Sequence, residues 1–284
     1  MKFQIFFFKE NTRSLDTPAL VDFLLEDENM SLVTTDDQVS INYSNSLVGL
    51  DYSLIFTKTS RVPDIARLSP KYLDLDFFVE YDMLLPLFKV NMISSVIEKI
   101  CSRFNLLIYN YLFEDVTSFT RDIIKTGYDR ARRLYKEKYP SEYQGLVFVT
   151  KSKLDAYYKY VLDAKATNEY YNNKYLFLDA YFGLNVEKGE MCLISNFRLD
   201  CSLIIPPSVD VIELELNGNK FYYDFKEVEV LIKKYIKEFP GFVGNTKMID
   251  ENHIKKVKKI LSKMKVKPIM ERISLVEQER LIDF

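Results

Sequence analysis

Acidic and apolar side chains alternate along the segment 73–83, LDLDFFVEYDM. One parity of this segment carries carboxylates, at Asp74, Asp76, Glu80 and Asp82. Because side chains alternate between the two faces of a strand, a strand here would display all four on one face. Carboxylate oxygens are the ligands that Mg²⁺ prefers, so the row is a candidate site for a metal-dependent enzyme. The same alternation is typical of a strand with one solvated face. The two interpretations, a metal site and a solvated face, also apply to Glu213 and Glu215.

Positive charge is concentrated in the segment 255–267, which contains seven lysines and no acidic residue. Neutralisation of phosphates by such a helix face would give salt-dependent nucleic-acid binding that is blind to base sequence. A basic amphipathic helix can also lie on a membrane surface or a partner, or simply present a solvated face. A second basic stretch lies at 130–133, and the tyrosines at 157–175 are candidates for base stacking or for the core rim. The residues predicted to contact nucleic acid or another partner are Lys255, Lys256, Lys258, Lys259, Lys263, Arg130, Arg132 and Arg133.

Several common chemistries are excluded by what the sequence lacks. His253 is the only histidine, so a multi-histidine metal centre within one chain is excluded and a catalytic triad would have to use this residue. There is no C-x-x-C pair and no glycine-rich phosphate-binding motif. The three cysteines, Cys101, Cys192 and Cys201, are too few for a disulfide framework and indicate a reducing compartment. We therefore assign no cofactor and no metal ligand.

Composition sets the broad class of the protein. The chain has 284 residues, 48% of them hydrophobic, and a net charge of −2, so it can bury a sizeable core and has no global attraction to polyanions. The apolar run at the N-terminus is too short for a signal-peptide core, and no run is long enough for a membrane span. We predict a cytoplasmic protein. The absence of Trp beside 21 Phe and 20 Tyr suggests an AT-rich bacterial genome.

The elements that would position these residues begin with a βαβ unit. The strand 73–83 is followed by Pro86, and apolar residues then recur at helical spacing from 87 to 104. Asn105 is a plausible helix end, and the apolar run 106–109 is a second strand. Upstream, Thr17 is predicted to cap a helix, with strands before and after it. Residues 1–112 are thus predicted to form a ferredoxin-like α+β sheet with helices on one face and one extra strand.

The remaining chain is predicted to contain a helical connector at 113–173 and a second α+β region at 174–284. The connector holds a helix at 114–139 and a second helix that begins with Ser152 and Asp155 in a capping-box spacing. In the second region, Asn217-Gly218 predicts a hairpin at 211–225. C-terminal helices are predicted at 226–238 and from Asp250 to Met264. The overall fold class is mixed α+β.

Three functions are compatible with these patterns. The first is a non-enzymatic module that binds a protein partner or a second copy of itself, because motifs for catalysis and nucleotide binding are missing. The second is a nucleic-acid-binding protein that uses the lysine-rich helix at 250–267. The third is a metal-dependent enzyme that uses the carboxylates at 74–82.

Overall fold

The computed structural model describes residues 1–63, 65–216 and 218–283. Within these ranges the chain forms six α-helices and seventeen strands in several sheets, which confirms the mixed α+β class. The chain divides into two compact units, Met1–Leu146 and Val147–Phe284. The predicted connector is therefore shared between them, with its first helix in the N-terminal unit and its second helix in the C-terminal unit.

The N-terminal unit is built on one six-stranded antiparallel sheet. Its elements are β1 (Lys2–Glu10), α1 (Thr17–Leu24), β2 (Met30–Thr34), β3 (Gln38–Asn45), β4 (Leu50–Thr57), β5 (Tyr72–Asp82), α2 (Leu87–Phe104), β6 (Leu107–Tyr109) and α3 (Arg121–Lys138). The strand order is β2-β3-β4-β5-β1-β6, so β1 separates β5 from β6 and α2 connects these two. Strand β2 was not predicted. Because two strands extend the sheet beyond β4, the ferredoxin-like architecture with one extra strand is not confirmed.

Strand β1 is covered on both faces of the sheet, as expected from the apolar run Ile5–Phe8 at its centre. Phe3 and Phe7 are fully buried on one face, and Phe6 and Phe8 are buried on the other. The second face belongs to a cluster that also contains Phe78 and parts of the loops beside it. The sheet is thus the middle layer of the N-terminal unit.

Local signals place the ends of the helices in this unit. Helix α2 follows Pro86 and ends at Asn105, which has the left-handed φ of 53° that suits a C-cap. Asp16, not Thr17, caps α1 by accepting a hydrogen bond from the Ala19 amide at 3.1 Å. The prediction for α3 was also wrong at its start, because Thr120 caps the helix and residues 114–120 precede it.

Helix α3 is anchored to the sheet by a buried tyrosine. The Tyr128 hydroxyl lies 2.8 Å from the carbonyl oxygens of Met83 and Leu85, at the end of β5. The Tyr128 ring packs edge-on against Phe3 with a centroid distance of 5.4 Å. Tyr128 is fully buried, so these contacts fix the register of α3 on the sheet.

The C-terminal unit combines a five-stranded, a four-stranded and a two-stranded sheet. Its elements are β7 (Val147–Val149), α4 (Lys151–Tyr170), β8 (Leu176–Phe177), β9 (Ala180–Asn185), β10 (Glu190–Asn196), β11 (Leu203–Ile205), β12 (Val211–Leu216), β13 (Asn219–Asp224), α5 (Phe225–Ile232), β14 (Ile236–Glu238), β15 (Lys247–Ile249), α6 (Glu251–Leu261), β16 (Ile273–Leu275) and β17 (Leu281–Asp283). The strand orders are β13-β12-β10-β9-β16, β14-β15-β11-β8 and β17-β7.

The predicted hairpin forms from β12 and β13, which pair antiparallel. Asn217 lies outside the described residues, and Gly218 has the positive φ of 79° that the turn requires. Both helices predicted in this part of the unit are present but end earlier than predicted. The helix at 226–238 ends at Ile232 and gives way to a 3₁₀ turn and β14, and α6 ends at Leu261. The capping box is absent, because Thr150 is the N-cap of α4 and Ser152 lies inside the helix.

Within the described ranges, no helix has both the length and the apolar character needed to cross a membrane.

Candidate functional site

Helix α6 separates its apolar and basic residues onto opposite sides. Ile254, Val257 and Leu261 recur at helical spacing and are buried. The exposed lysines of the helix are Lys255, Lys256, Lys258 and Lys259. At 3.6 residues per turn these four side chains fall within an arc of about 160°. Lys263, just after the helix, is also exposed. We call these five residues the α6 lysine face.

The lysines of the α6 lysine face are not held in ion pairs. Within the described part of the chain none of the five forms one, although the exposed Glu251 lies on the same side of the helix, whereas two nearby lysines outside the face do. Lys237 is paired with Asp250 at 2.9 Å, and Lys247 is paired with Glu229 at 2.5 Å. The charge of the face is therefore available to an external anion.

The surrounding segment strengthens this positive potential. Residues 220–267 contain thirteen lysines and six acidic residues, although the net charge of the whole chain is −2. Charge is thus distributed unevenly along the chain, and the excess of lysine lies around α5 and α6. Such an asymmetry attracts polyanions locally even when the whole protein is slightly acidic.

The predicted arginines belong to a different unit from the α6 lysine face. Arg130 and Arg133 are exposed on α3, and Arg132 is half-buried. The Arg133 Nε donates to the carbonyl oxygen of Asp129 at 3.4 Å. Since Arg132 is two residues from Arg130, helical geometry turns it to another side of α3. That these arginines and the α6 lysines lie on one basic face remains a prediction.

A cavity of about 710 Å³ adjoins the lysine face. Lys258 lines it together with the end of β10, the loop that follows β10, and the β12–β13 hairpin. Its polar lining includes Asn196, Arg198, Glu213 and Lys220. The cavity therefore shares one cation, Lys258, with the α6 lysine face.

Glu213 is a buried charged group of the cavity lining. Its side chain is 7% exposed, yet its Oε1 pairs with the Lys220 Nζ at 2.8 Å and its Oε2 accepts from the Tyr181 hydroxyl at 2.9 Å. Burial alone would raise the pKa of Glu213, but hydrogen bonds from Lys220, Tyr181 and Tyr222 outweigh it and lower the pKa below its usual value. Burial, and then the hydrogen bond to Glu213, raise the pKa of Tyr181. Glu213 is thus ionised at neutral pH and holds Lys220 at the cavity.

The carboxylates of β5 are occupied by local hydrogen bonds. Asp74 Oδ1 accepts from the Asp76 amide at 3.1 Å, and Glu80 accepts from the Gln4 side-chain amide at 3.1 Å. Asp82 accepts from the backbone amide two residues further on, at 2.8 Å. Burial, followed by the charge of Asp74, raises the pKa of Asp76, which has a left-handed φ of 50°. Among the described residues, no group of three or more His, Cys, Asp or Glu side chains could hold a metal ion, so the metal-enzyme alternative gains no support.

His253 lies in the first turn of α6 and packs against Tyr235 with a ring-centroid distance of 5.3 Å. Its Nδ1 is buried and has no hydrogen-bond partner in the ranges that the structure describes. A triad needs a residue that orients this nitrogen. The structure therefore provides no sign that His253 is catalytic.

The tyrosines proposed for base stacking mostly lie in the core. Tyr157, Tyr158 and Tyr160 of α4 are buried. Tyr171 packs against Phe239 with ring centroids 5.2 Å apart. The described tyrosines of α4 thus behave as core residues, with Tyr170 as an 80% exposed exception at the end of the helix.

Sequence reasoning did not find the cavity. Asn196, Arg198 and Lys220 come from separate strands and loops, and none belongs to a motif. The alternation of Glu213 and Glu215 with apolar residues was the one local signal, and it did not show that Glu213 would be buried while Glu215 stays exposed.

Comparisons of this chain with protein-family models, with curated proteins and with solved structures find no match. Its function is therefore inferred from the residues of the site.

Proposed function

We propose that this protein is a non-enzymatic binding protein whose C-terminal unit binds the phosphate backbone of nucleic acids. The observation that carries the proposal is the α6 lysine face, with exposed lysines grouped on one side of a helix and no carboxylate partner among the described residues. We propose binding and not catalysis because, among the described residues, the site has neither an oriented histidine nor a metal-ligand cluster.

The physical basis is the release of counterions from the nucleic acid. Each phosphate that a lysine neutralises frees condensed cations, so affinity falls as salt rises, with a slope of about −0.9 per contact on duplex DNA. Lysine contacts to phosphate carry no sequence information. The proposed binding is therefore strong at low salt and indifferent to base sequence.

A protein partner, or a second copy of this chain, is the alternative. Lysine is depleted in the cores of protein interfaces, which favours a polyanion on this face. Exposed apolar side chains do occur in this unit, and Val230 and Leu231 lie next to each other on α5. A protein-binding function would use such apolar residues and would be insensitive to the lysines. Free cysteines, of which the structure describes three, fit a cytoplasmic location for either function.

Binding of labelled oligonucleotides to the full chain tests the proposal. The test variant replaces the five lysines of the α6 lysine face by glutamine. A matched control removes the same charge at five exposed lysines outside α6, namely Lys2, Lys58, Lys99, Lys125 and Lys165. We expect the test variant to lose about 100-fold or more in affinity at low salt and the control to stay within about threefold of the unmodified protein. Equal losses in both variants would show an effect of net charge and not of this face.

A further inference from the structure

The cavity beside α6 has the size and chemistry of a small-ligand site. Its volume of about 710 Å³ lies within the range of pockets that enclose a compact organic molecule. Phe197, Leu214 and Leu261 supply an apolar wall, and Asn196 supplies an amide that can both donate and accept hydrogen bonds. Eight of the thirteen lining residues are polar or charged, so the apolar wall stands beside many hydrogen-bonding side chains, a composition that suits a planar ring with polar edges.

Cations mark where a phosphate would enter. Lys258 belongs both to the α6 lysine face and to the cavity lining. Lys220 is held at the cavity by its ion pair with the buried Glu213 carboxylate. Asp200 and Glu215 also line the cavity, and these acids would repel a chain of phosphates. With Arg198 and Glu213 the lining holds three cations and three carboxylates, so it favours a ligand that brings a single phosphate, beside Lys258, and an otherwise uncharged ring.

We propose that this cavity accepts a single nucleotide from a single-stranded nucleic acid whose backbone lies on the α6 lysine face. The inference rests on the proposed function and adds a strand preference to it. A base in a duplex is paired and stacked, so moving it into the cavity costs a few kcal/mol, whereas a single strand has no pairing to lose. The C-terminal unit therefore prefers single-stranded to double-stranded nucleic acid of equal phosphate count.

The strand preference is tested by comparing the affinities of the protein for one labelled single strand and for one duplex with the same number of phosphates. Ser262, an exposed residue that lines the cavity, is replaced by tryptophan to fill the space. Leu275→Trp adds the same ring at an exposed position of β16, outside both the cavity lining and the α6 lysine face. We expect unmodified protein and Leu275→Trp to favour the single strand by tenfold or more, and Ser262→Trp to bring the ratio near one.

A second arm uses unmodified protein alone, so it does not depend on the folding of a variant. A deoxynucleoside monophosphate and deoxyribose 5-phosphate each carry one phosphate, and both compete with the labelled single strand. We expect the mononucleotide to compete at a concentration at least tenfold lower, because only it offers a base to the cavity.

The outcomes separate the two proposals. Salt-dependent binding of both nucleic acids without a strand preference, or equal competition by the two phosphates, overturns the cavity inference and leaves the proposed function standing. A preference that survives Ser262→Trp also overturns the cavity inference. The absence of binding to either nucleic acid overturns both proposals.

Discussion

Replacement of Glu213 by glutamine removes the negative charge that pairs with Lys220 and accepts a hydrogen bond from Tyr181, beside the cavity. Glutamine keeps the shape of the side chain but loses the charge-assisted hydrogen bond from Tyr181 and the ion pair with Lys220. Lys220 is largely in solvent, so most of the cost comes from the buried carboxylate and its tyrosine, and we expect about 1–2 kcal/mol of local destabilisation. Amide exchange in the peptides of the hairpin should accelerate by about 5–30-fold at neutral pH.

The effect should depend on pH because the folded protein lowers the pKa of Glu213 below 4.5. A lowered pKa contributes stability that is present above the unfolded value and is lost as pH falls through the folded one. As pH falls through the folded pKa, the carboxyl group approaches the neutral state of glutamine, and the two proteins should converge after correction for intrinsic exchange rates. Glu215→Gln, two residues along the same face of β12 but exposed, serves as the control. Equal effects of both variants, or a Glu213 effect that persists unchanged at low pH, would refute this reasoning.

Three further predictions concern the fold. Tyr128→Phe removes the hydroxyl that contacts the carbonyl oxygens of Met83 and Leu85 and should cost about 1–2 kcal/mol in urea denaturation. An effect below about 0.5 kcal/mol would contradict the proposed anchoring of α3. Asn105→Val should destabilise the end of α2 by about 1–2 kcal/mol because its φ is positive, whereas Asn105→Gly should be tolerated. Burial raises the thiol pKa of Cys101 to about 12 and of Cys192 to about 11, so mass spectrometry after alkylation at pH 8 should find the exposed Cys201 modified first. Labelling of the buried cysteines at the same rate would contradict this burial.

Elements with strong local signals could be predicted from the sequence. Pro86 and Asn105 bracket α2, and the period change between them identifies both β5 and the helix. Strand β2 offers no such signal, because Leu32 and Val33 are adjacent and exposed, and the strand is held by its pairing with β3. The strands β14 to β17 are three residues long, which is too short for alternation to identify them.

One part of the candidate site could likewise be predicted from the sequence, and another part could not. The basic side of α6 follows from helical spacing, since the buried Ile254 and Val257 leave the lysines outside. The cavity could not be predicted, because strands far apart in the sequence bring Asn196 and Lys220 to the same space as Lys258. Burial of Glu213 depends on the same long-range pairing.

The salt dependence of duplex binding tests the central claim most directly. Affinity of the full chain would be measured between about 50 and 200 mM salt, for the unmodified protein and for variants with one, three and five glutamines on the α6 lysine face. With four or five phosphate contacts, the logarithm of affinity should fall with a slope of about −4, and each lysine removed should reduce the steepness by about 0.9. Two results would contradict a nucleic-acid-binding function of this face. One is the absence of binding at low salt, and the other is a slope that stays unchanged in the variant with five glutamines.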